Sequence, residues 1–231
     1  MKNKIYKALS ILLYIVSIII VLFCIKIRIT PGMYLNIKLR LILLTIVCLL
    51  LYINNFILIK KLNYNKKILK INIILIFLVY IFTIFNLTLL DERFGRGELT
   101  IAKWDSELLQ NYIKTSFNII PFNTIKLFTN GYIRGYVSTT NFLINIIGNF
   151  VAFMPFGIFL PLLFKKINKY YKFLIIMIII VATIEILQFL TLSGSCDIDD
   201  LILNIMGASA IYGLYKIKSI NKLVNKVILF E

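Results

Sequence analysis

The sequence predicts an all-α integral membrane protein, and its composition, its long apolar segments and the placement of its basic residues all point that way. Hydrophobic residues make up 60% of the 231 residues and charged residues 16%. Soluble domains average roughly 45–50% apolar residues and roughly 25% charged residues. Several apolar runs reach the roughly 20 residues that a helix needs to cross the hydrocarbon core of a bilayer. We therefore predict a polytopic protein with about six transmembrane helices and a C-terminal amphipathic helix.

The first three spans are predicted at residues 5–25, 41–59 and 71–90. Lys4 and Lys26 bracket the first apolar run. This run is too long for a signal peptide, and no small-residue cleavage site follows it. The second run ends at a pair of lysines, and the third follows another basic stretch. All three are therefore expected to remain as membrane helices.

The last three spans are predicted at residues 141–164, 173–192 and 198–217. The sixth has the shortest apolar part, residues 201–215, and Asp197, Asp199 and Asp200 precede or begin it. Acidic residues at a helix start accept hydrogen bonds from the free N–H groups there and complement the helix dipole. We therefore place the start of the sixth helix near Ile198.

Two shorter helices are predicted outside the spans. The segment between the third and fourth spans is too long to lack structure in a compact protein. Trp104, Leu108 and Tyr112 share one helical stripe there, which predicts a short helix on the outer leaflet. After the sixth span, apolar residues recur at helical spacing between lysines. This tail is expected to form an amphipathic helix on the anionic inner leaflet.

The distribution of charge predicts the orientation of the chain. The net charge is +16, from 26 Lys and Arg against 10 Asp and Glu. The basic residues lie between apolar runs, so they indicate the positive-inside pattern and not a nucleic-acid partner. They are most numerous in the loops on the side of the N-terminus. We therefore expect a protein of the cell membrane with both termini in the cytoplasm.

Histidine and cysteine usage excludes several kinds of chemistry. The sequence contains no histidine, which excludes Ser-His-Asp and Cys-His triads and histidine metal ligands. The three cysteines are too dispersed for a disulfide framework or a zinc site. No cofactor is therefore expected, and a divalent cation is considered only in an alternative below.

Polar residues that lipid would penalise gather at the predicted outer ends of three spans. Glu185 lies within the fifth span, where a carboxylate normally has a partner or lines a wet cavity. The predicted binding site consists of Glu185, Gln188, Asp197, Asp199, Asp200, Asn204, Asn145, Asn149, Arg93 and Arg96. The two arginines could neutralise the carboxylates. The Asn and Gln side chains could instead serve only as hydrogen bonds between helices.

Four polar or proline-containing segments follow one another along the second half of the chain: residues 118–122 (NIIPF), 145–161 (NIIGNFVAFMPFGIFLP), 185–188 (EILQ) and 197–207 (DIDDLILNIMG). In their order and spacing these segments resemble the VanZ-like family of bacterial membrane proteins. The resemblance implies a polytopic membrane protein associated with reduced susceptibility to teicoplanin and related lipoglycopeptides, without a change in the peptidoglycan precursor. It suggests three parts: an N-terminal hairpin (1–70), a VanZ-like membrane domain (71–217) and the tail (218–231).

Three functions are compatible with these residues. In the first, favoured one, the site acts without catalysis and binds a lipid-linked envelope precursor or a glycopeptide, with membrane lipids as its other partners. In the second, the carboxylates hold Mg²⁺ or Ca²⁺ and act on a phosphate-bearing lipid that Arg93 or Arg96 binds. The third is a small lipid or solute transporter, in which Gly148, Pro155, Gly157 and Pro161 would break the fourth span; the same residues could equally be packing kinks. The sequence gives neither the ligand nor the oligomeric state.

Overall fold

The computed structural model describes residues 2–30, 33, 35–64, 66–90 and 103–229, and over these ranges the protein is almost entirely helical. The only strands in the described ranges are two segments of two residues each. Five helices of the described part are long and apolar enough to cross a membrane: Lys2–Arg28, Ile37–Lys61, Lys67–Leu89, Thr139–Leu163 and Tyr170–Thr191. The prediction of an all-α membrane protein is confirmed.

The chain divides into two compact units. The first consists of Met1–Phe85 together with Lys222–Glu231, and the second is Asn86–Asn221. The first unit contains α1 (Lys2–Ile29), α2 (Ile37–Phe56), a π-helical turn (Ile57–Lys61) and most of α3 (Lys66–Leu89). The Asn36 side chain caps α2 by accepting the N–H of Lys38 at 2.9 Å. The predicted amphipathic tail is the last helix of the chain, Lys218–Ile228.

The second unit contains the elements between α3 and the tail helix, which are shorter and more often interrupted. In chain order they are α4 (Ser106–Ser116), β1 (Phe117–Asn118), α5 (Asn123–Ile133), α6 (Thr139–Phe142), a π-helical segment (Leu143–Gly148), α7 (Asn149–Ala152), α8 (Phe156–Leu163), a 3₁₀ turn (Lys165–Ile167), α9 (Tyr170–Thr191), β2 (Cys196–Asp197) and α10 (Ile198–Lys216); the tail helix is α11. The two strands pair in parallel, with Phe117 opposite Cys196 and Asn118 opposite Asp197.

The fourth predicted span is a helix with two irregularities. Its first half passes through the π-helical segment Leu143–Gly148. Its second half begins anew at Phe156, directly after Pro155. Proline has no N–H to donate, so a helix readily ends before it and restarts at it. The interruption that the Gly and Pro residues suggested is therefore present.

The sixth predicted span is the central helix of the second unit, although it is not among the five that meet the length and apolarity of a membrane span. α10 has 19 residues, and its first turn carries Asp199 and Asp200. It packs against α7, α8 and α9. Gly207 and Gly157 make this packing possible: a Cβ on Gly207 would lie 1.7 Å from the carbonyl oxygen of Phe150, and one on Gly157 would lie 2.5 Å from that of Ala208.

The short helix predicted between the third and fourth spans is present as α4. α4 begins at Ser106, so Trp104 lies just before the helix and not on its predicted stripe. The Trp104 ring stacks on Phe189 of α9 with centroids 4.7 Å apart, and Tyr112 of α4 meets the same ring edge-on at 5.2 Å. Tyr112 is buried. These aromatic side chains therefore serve a protein contact, while the location of α4 on the outer leaflet stays a prediction.

Candidate functional site

The two short strands bring the acid cluster at the start of α10, which consists of Asp197, Asp199 and Asp200, to the segment before α5. Asn118 on β1 donates from Nδ2 to Oδ1 of Asp197 on β2 at 2.9 Å. The same oxygen accepts the N–H of Asp199 at 2.8 Å, so Asp197 is the N-cap of α10. Asp197 is buried. One carboxylate thus starts α10 and holds a segment 79 residues away in sequence.

Asp199 caps a different helix from the one that carries it. Its Oδ1 accepts the N–H of Phe122 at 2.5 Å and its Oδ2 accepts the N–H of Ile125 at 3.0 Å. These groups lie at the start of α5, where Phe122 has φ 66° and offers no capping side chain. The first N–H groups of a helix have no partner within it, and a negative charge there is favoured by the helix dipole. Asp199 is 0% exposed. Its buried carboxylate is held by these two hydrogen bonds to the start of α5.

Asp200 and Asn149 connect α10 to α7. The Asn149 Nδ2 group donates to Oδ1 of Asp200. α7 is the short helix between the π-helical segment and the break before Pro155, so this hydrogen bond holds the least regular part of the fourth span. Asn145, one turn earlier, instead donates from Nδ2 to the carbonyl oxygen of Asn141 at 2.9 Å. The Asn145 amide therefore forms its hydrogen bond within its own helical segment.

Glu185 joins α9 to the start of the acid cluster. Its Oε2 accepts the N–H of Asp197 at 3.2 Å, and the residue is 7% exposed. Gln188, three residues later, donates from Nε2 to the carbonyl oxygen of Thr88 at 2.8 Å. The two side chains therefore have different roles. Glu185 belongs with the carboxylates, and Gln188 ties α9 to the residues that end α3.

Asn204 contains a buried acceptor that the described residues leave unsatisfied. The residue is 5% exposed, and its Oδ1 has no hydrogen-bond partner within the described ranges. It lies one turn after Asp200 on α10, on the same helical face. Leaving a buried carbonyl without a donor costs about 1–3 kcal/mol, and native proteins rarely do so. A bound donor group at this position would remove that cost.

The surroundings of the cluster are apolar and negatively charged. The Tyr112 hydroxyl donates to the carbonyl oxygen of Gly194 at 3.0 Å. Burial, with a contribution from the nearby Cys196 and Glu185, raises the pKa of Tyr112 to about 12. Burial also raises the pKa of the Cys196 thiol, and the charges of Glu185 and Asp197 raise it further.

Hydrogen bonds within the second unit thus connect half of the predicted site, in two groups. Glu185, Asp197 and Asp199 are linked through backbone N–H groups, and Asn149 is linked to Asp200. Arg93 and Arg96 lie outside the described residues. The sequence interpretation did not assign a role to the amide of Asn118 or to the N–H groups at the start of α5. The only signal for them was the 118–122 segment of the family resemblance, because no periodicity relates these residues to α10.

The described residues contain no group of three or more Cys, Asp or Glu side chains arranged to hold a metal ion. Asp197 and Asp199 use their oxygens on N–H groups instead. The cluster is therefore a framework of carboxylates and amides that orders the ends of α5, α7 and α10. It presents one unsatisfied acceptor, Asn204 Oδ1, at its edge.

The fold and this cluster define a helical membrane protein with a buried carboxylate–amide network in one unit. The VanZ/LLP1 family model matches residues 73–219, and the chain belongs to that family. The chain is also 32% identical to Protein VanZ of Enterococcus faecium over 123 residues, which is 52% of this chain. The match spans 66% of that relative, slightly under two thirds of its length. No solved structure matches the chain. The family prediction made from four motifs is confirmed.

Proposed function

We propose that the second unit presents its polar network at the outer face of the cell membrane and there reduces susceptibility to teicoplanin and related lipoglycopeptides by binding, without catalysis. Membership of the VanZ/LLP1 family supports the link to these antibiotics. The observation that carries the binding role is Asn204, a buried acceptor without a partner among the described residues. A buried acceptor kept in this state suits a ligand that supplies the missing donor.

The ligand chemistry follows from this acceptor and its neighbours. Asn204 Oδ1 needs an N–H or O–H group, and Asp200 lies one turn away on the same face. Peptide amides and sugar hydroxyls both supply such groups. Both chemistries occur in lipid-linked envelope precursors and in glycopeptides. The proposed ligand is therefore one of these two, bound by its polar part while membrane lipids surround its apolar part.

Binding accounts for the carboxylates better than metal-dependent catalysis does. Both oxygens of Asp199 and one oxygen of Asp197 accept N–H groups. An oxygen that accepts such bonds is less available as a metal ligand. The second candidate, an enzyme acting on a phosphate-bearing lipid, therefore has no specific support from the described residues.

The proposal is tested by expressing the chain in a susceptible host and measuring the inhibitory concentrations of teicoplanin and vancomycin. We expect a several-fold rise for teicoplanin and little change for vancomycin. Asn204→Leu and Glu185→Gln should abolish the rise at an unchanged membrane level. Gln can still accept the Asp197 N–H that Glu185 accepts, but its amide is neutral and replaces the second acceptor oxygen with an NH₂ donor. Equal resistance with either variant would contradict the proposal.

A matched control for Glu185→Gln lies two residues earlier on the same helix. The Thr183 hydroxyl donates to the carbonyl oxygen of Ile179 within α9, and the residue is exposed. Thr183→Val should leave teicoplanin resistance unchanged. A loss of resistance in this variant would show that any change on α9 abolishes the phenotype, and the role of the carboxylate would not stand.

The outward orientation is tested separately with Cys196, which lies beside the cluster. Cys24 and Cys48 are replaced by Ala so that Cys196 is the remaining thiol. A maleimide that cannot cross membranes should label Cys196 in intact cells. Labelling that requires permeabilised cells would place the cluster on the cytoplasmic side and end the proposal of an outward-facing site.

A further inference from the structure

The segment between α4 and α6 is tied to the acid cluster at one end and to the fourth span at the other. At the first end β1 pairs with β2, and Phe122 donates its N–H to Asp199 Oδ1 at 2.5 Å. At the other end the Tyr132 ring of α5 stacks on Phe142 of α6 with centroids 4.7 Å apart. α5 therefore runs between the acid cluster and the beginning of the fourth span.

The fourth span shows how far the acid cluster lies from the end of that helix. Thr139–Leu163 is long and apolar enough to cross a membrane. Asn149, which donates to Asp200, comes ten residues after Thr139, a rise of about 15 Å. α5 has 11 residues and covers about 16 Å. The two lengths agree, and α5 contacts both α6 and the π-helical segment. It therefore lies alongside the first half of the fourth span.

α9 gives a second measure of the same depth. It has 22 residues and is about 33 Å long, which matches the roughly 30 Å hydrocarbon core of a bilayer. Glu185 accepts the Asp197 N–H six residues before α9 ends at Thr191, a rise of about 9 Å. Residues 119–122, which join β1 to α5, are held beside the acid cluster. They therefore lie about 9–15 Å below the ends of both spans, within the hydrocarbon depth of one leaflet.

The backbone of residues 119–122, here named the tip, suits such a depth. Lipid supplies no hydrogen bonds, so backbone N–H groups in the hydrocarbon need acceptors within the protein. Ile120 donates its N–H to Asn118 Oδ1 at 3.1 Å, and Phe122 donates to Asp199. Pro121 has no N–H to satisfy. Three of the four residues of the tip thus present no unsatisfied N–H group to lipid.

The side chains of the tip are apolar and point away from the protein. Ile119, Ile120 and Phe122 are 68%, 65% and 52% exposed. The other end of α5 is different, because Arg134 and Tyr136 are exposed at the turn before the fourth span. Arginine and tyrosine suit the headgroup region of a membrane. Polarity therefore changes along α5 in the way that it changes across one leaflet.

We propose that residues 106–136 form a re-entrant segment whose tip contacts the lipid acyl chains of the leaflet beside the acid cluster. α4 enters at the level of Phe189, near the end of α9, and α5 leads back to the start of the fourth span. Asp199 holds the tip at a fixed depth. Lys126, one turn after Phe122, is long enough to extend its ammonium group towards the headgroups. The inference does not depend on the proposed function or on the side of the membrane that the acid cluster faces.

The experiment measures the surroundings of a fluorophore on the tip of the full chain. Cys24, Cys48 and Cys196 are replaced by Ala, and Ile120→Cys is labelled with the environment-sensitive fluorophore NBD. The protein is reconstituted in vesicles of phosphatidylcholine and phosphatidylglycerol. The quenchers are a nitroxide on a lipid acyl chain, a nitroxide on a lipid headgroup, and iodide on both sides of the membrane. The acyl-chain nitroxide should quench roughly threefold more strongly than iodide, because iodide stays in the water.

Two labelled positions are matched controls. Tyr136→Cys, at the other end of α5, should be quenched mainly by iodide and the headgroup nitroxide. Ile179→Cys, at an exposed position inside α9, should behave like Ile120→Cys. Iodide quenching of Ile120→Cys as strong as that of Tyr136→Cys would overturn the proposal. Protection from all three quenchers would also overturn it, because protein would then cover the tip. Loss of that protection at a higher ratio of lipid to protein would identify the cover as a second copy.

The unlabelled thiols provide a second measurement that needs no fluorophore on the tip. A charged methanethiosulfonate reacts with thiols that water reaches. In the same vesicles Ile120→Cys should react roughly tenfold more slowly than Tyr136→Cys, because the reagent does not enter the hydrocarbon. Equal rates at the two positions would place the tip in water and contradict the re-entrant segment.

Discussion

The two units solve the problem of polar groups in a membrane protein in different ways. In the first unit the buried network joins Ser, Tyr and Asn side chains of three long helices. In the second unit carboxylates accept backbone N–H groups at the ends of interrupted elements. The difference shows what each polar residue compensates for. Continuous helices satisfy their own backbone and need only ties between them, whereas broken helices leave N–H groups that must be satisfied by other elements.

This difference has an energetic consequence. Hydrogen bonds between side chains of membrane helices contribute about 0.6 kcal/mol on average and at most about 1.7 kcal/mol. A hydrogen bond to a buried charged group contributes about 1.5–3 kcal/mol, and removing one partner also leaves the other unsatisfied. Substitutions in the second unit should therefore reduce stability more than comparable substitutions in the first.

The largest effect is expected where the backbone of α10 meets the fourth span. Gly207→Ala places a Cβ 1.7 Å from the carbonyl oxygen of Phe150, so α7 and α10 have to separate. Overpacking usually costs about 1–3 kcal/mol, and a clash with backbone should cost at least the upper value. We expect a large loss of monodisperse protein in size-exclusion chromatography and a lower Tm for what remains. Gly207→Leu should not yield folded protein.

Gly213 on the same helix is the control for this prediction. A Cβ on Gly213 meets nothing within 4 Å. Because Ala favours a helix over Gly by about 1 kcal/mol, Gly213→Ala should raise the Tm slightly. If both alanine variants behaved alike, the close approach of α7 and α10 would not be what requires glycine at 207.

The second effect concerns the carboxylate that caps α5 from α10. Asp199→Asn removes the charge and turns an NH₂ group towards one of the two N–H donors of Phe122 and Ile125. We expect a loss of about 2 kcal/mol in the free energy of unfolding. Hydrogen exchange should accelerate at the first residues of α5 more than elsewhere in the second unit. This local response distinguishes a lost cap from general destabilisation.

Asp105 provides the comparison for Asp199. It caps α4 from within its own segment by accepting the N–H of Leu108 at 2.8 Å, at an exposed position. Asn is about as good an N-cap as Asp. Asp105→Asn should therefore change the stability by a few tenths of a kcal/mol. A similar loss in both variants would mean that the burial of Asp199 and its contact across elements add nothing.

The sequence was sufficient for the parts of this fold that depend on local pattern. Apolar length predicted the long helices, and the acids before Ile198 predicted the start of α10. The Gly and Pro residues of the fourth span left a break or a packing kink open, and the structure has a break before Phe156. The contact of Asp199 with the start of α5 could not be predicted, because it joins residues 74 and 77 positions apart. The hydrophobic periodicity of α5 and that of α10 give no indication that a side chain of α10 caps α5.

The same limit applies to individual side chains of the site. Asn145 and Asn149 are equivalent in a repeat of every four residues, yet only Asn149 reaches Asp200 in the described hydrogen bonds. The π-helical segment Leu143–Gly148, which contains Asn145 and ends just before Asn149, changes the helical phase. No sequence pattern predicted this segment. Glu185 and Gln188 likewise share a helical face but use different partners. The face of a helix on which a side chain lies follows from the sequence. The group to which that side chain forms a hydrogen bond depends on tertiary packing.

A smaller effect is expected in the neutral network of the first unit. Tyr14→Phe removes the hydroxyl that donates to Asn72, and Asn72→Ala removes the amide that serves both Tyr14 and Asn55. A double-mutant cycle on these two residues should give a coupling energy of about 0.6 kcal/mol. The measurement is unfolding of the chain in mixed micelles by increasing denaturing detergent. Tyr52→Phe, which removes an exposed hydroxyl bonded to the Val227 carbonyl oxygen, is the control. A coupling above about 2 kcal/mol would contradict the contrast between the two units.

The smallest effect is a change in the reactivity of Cys196, and it reports the charge of Glu185 directly. Burial raises the pKa of the thiol first, and the charges of Glu185 and Asp197 raise it further. The thiolate is the form that reacts with maleimide. At pH 8 the thiol should therefore react more slowly than an ordinary cysteine, and the rate should increase as the pH rises towards the elevated pKa.

Glu185→Gln removes one of these negative charges, so the pKa of Cys196 should fall towards its usual range and the pH–rate curve should move to lower pH. At pH 8 the labelling rate should rise about twofold or more because a larger fraction of the thiol is ionised. The measurement uses the variant without Cys24 and Cys48, and Thr183→Val in that background should leave the curve in place. An unshifted curve for Glu185→Gln would mean that this carboxylate carries no charge at the site, and the second unit would then resemble the first in relying on neutral hydrogen bonds.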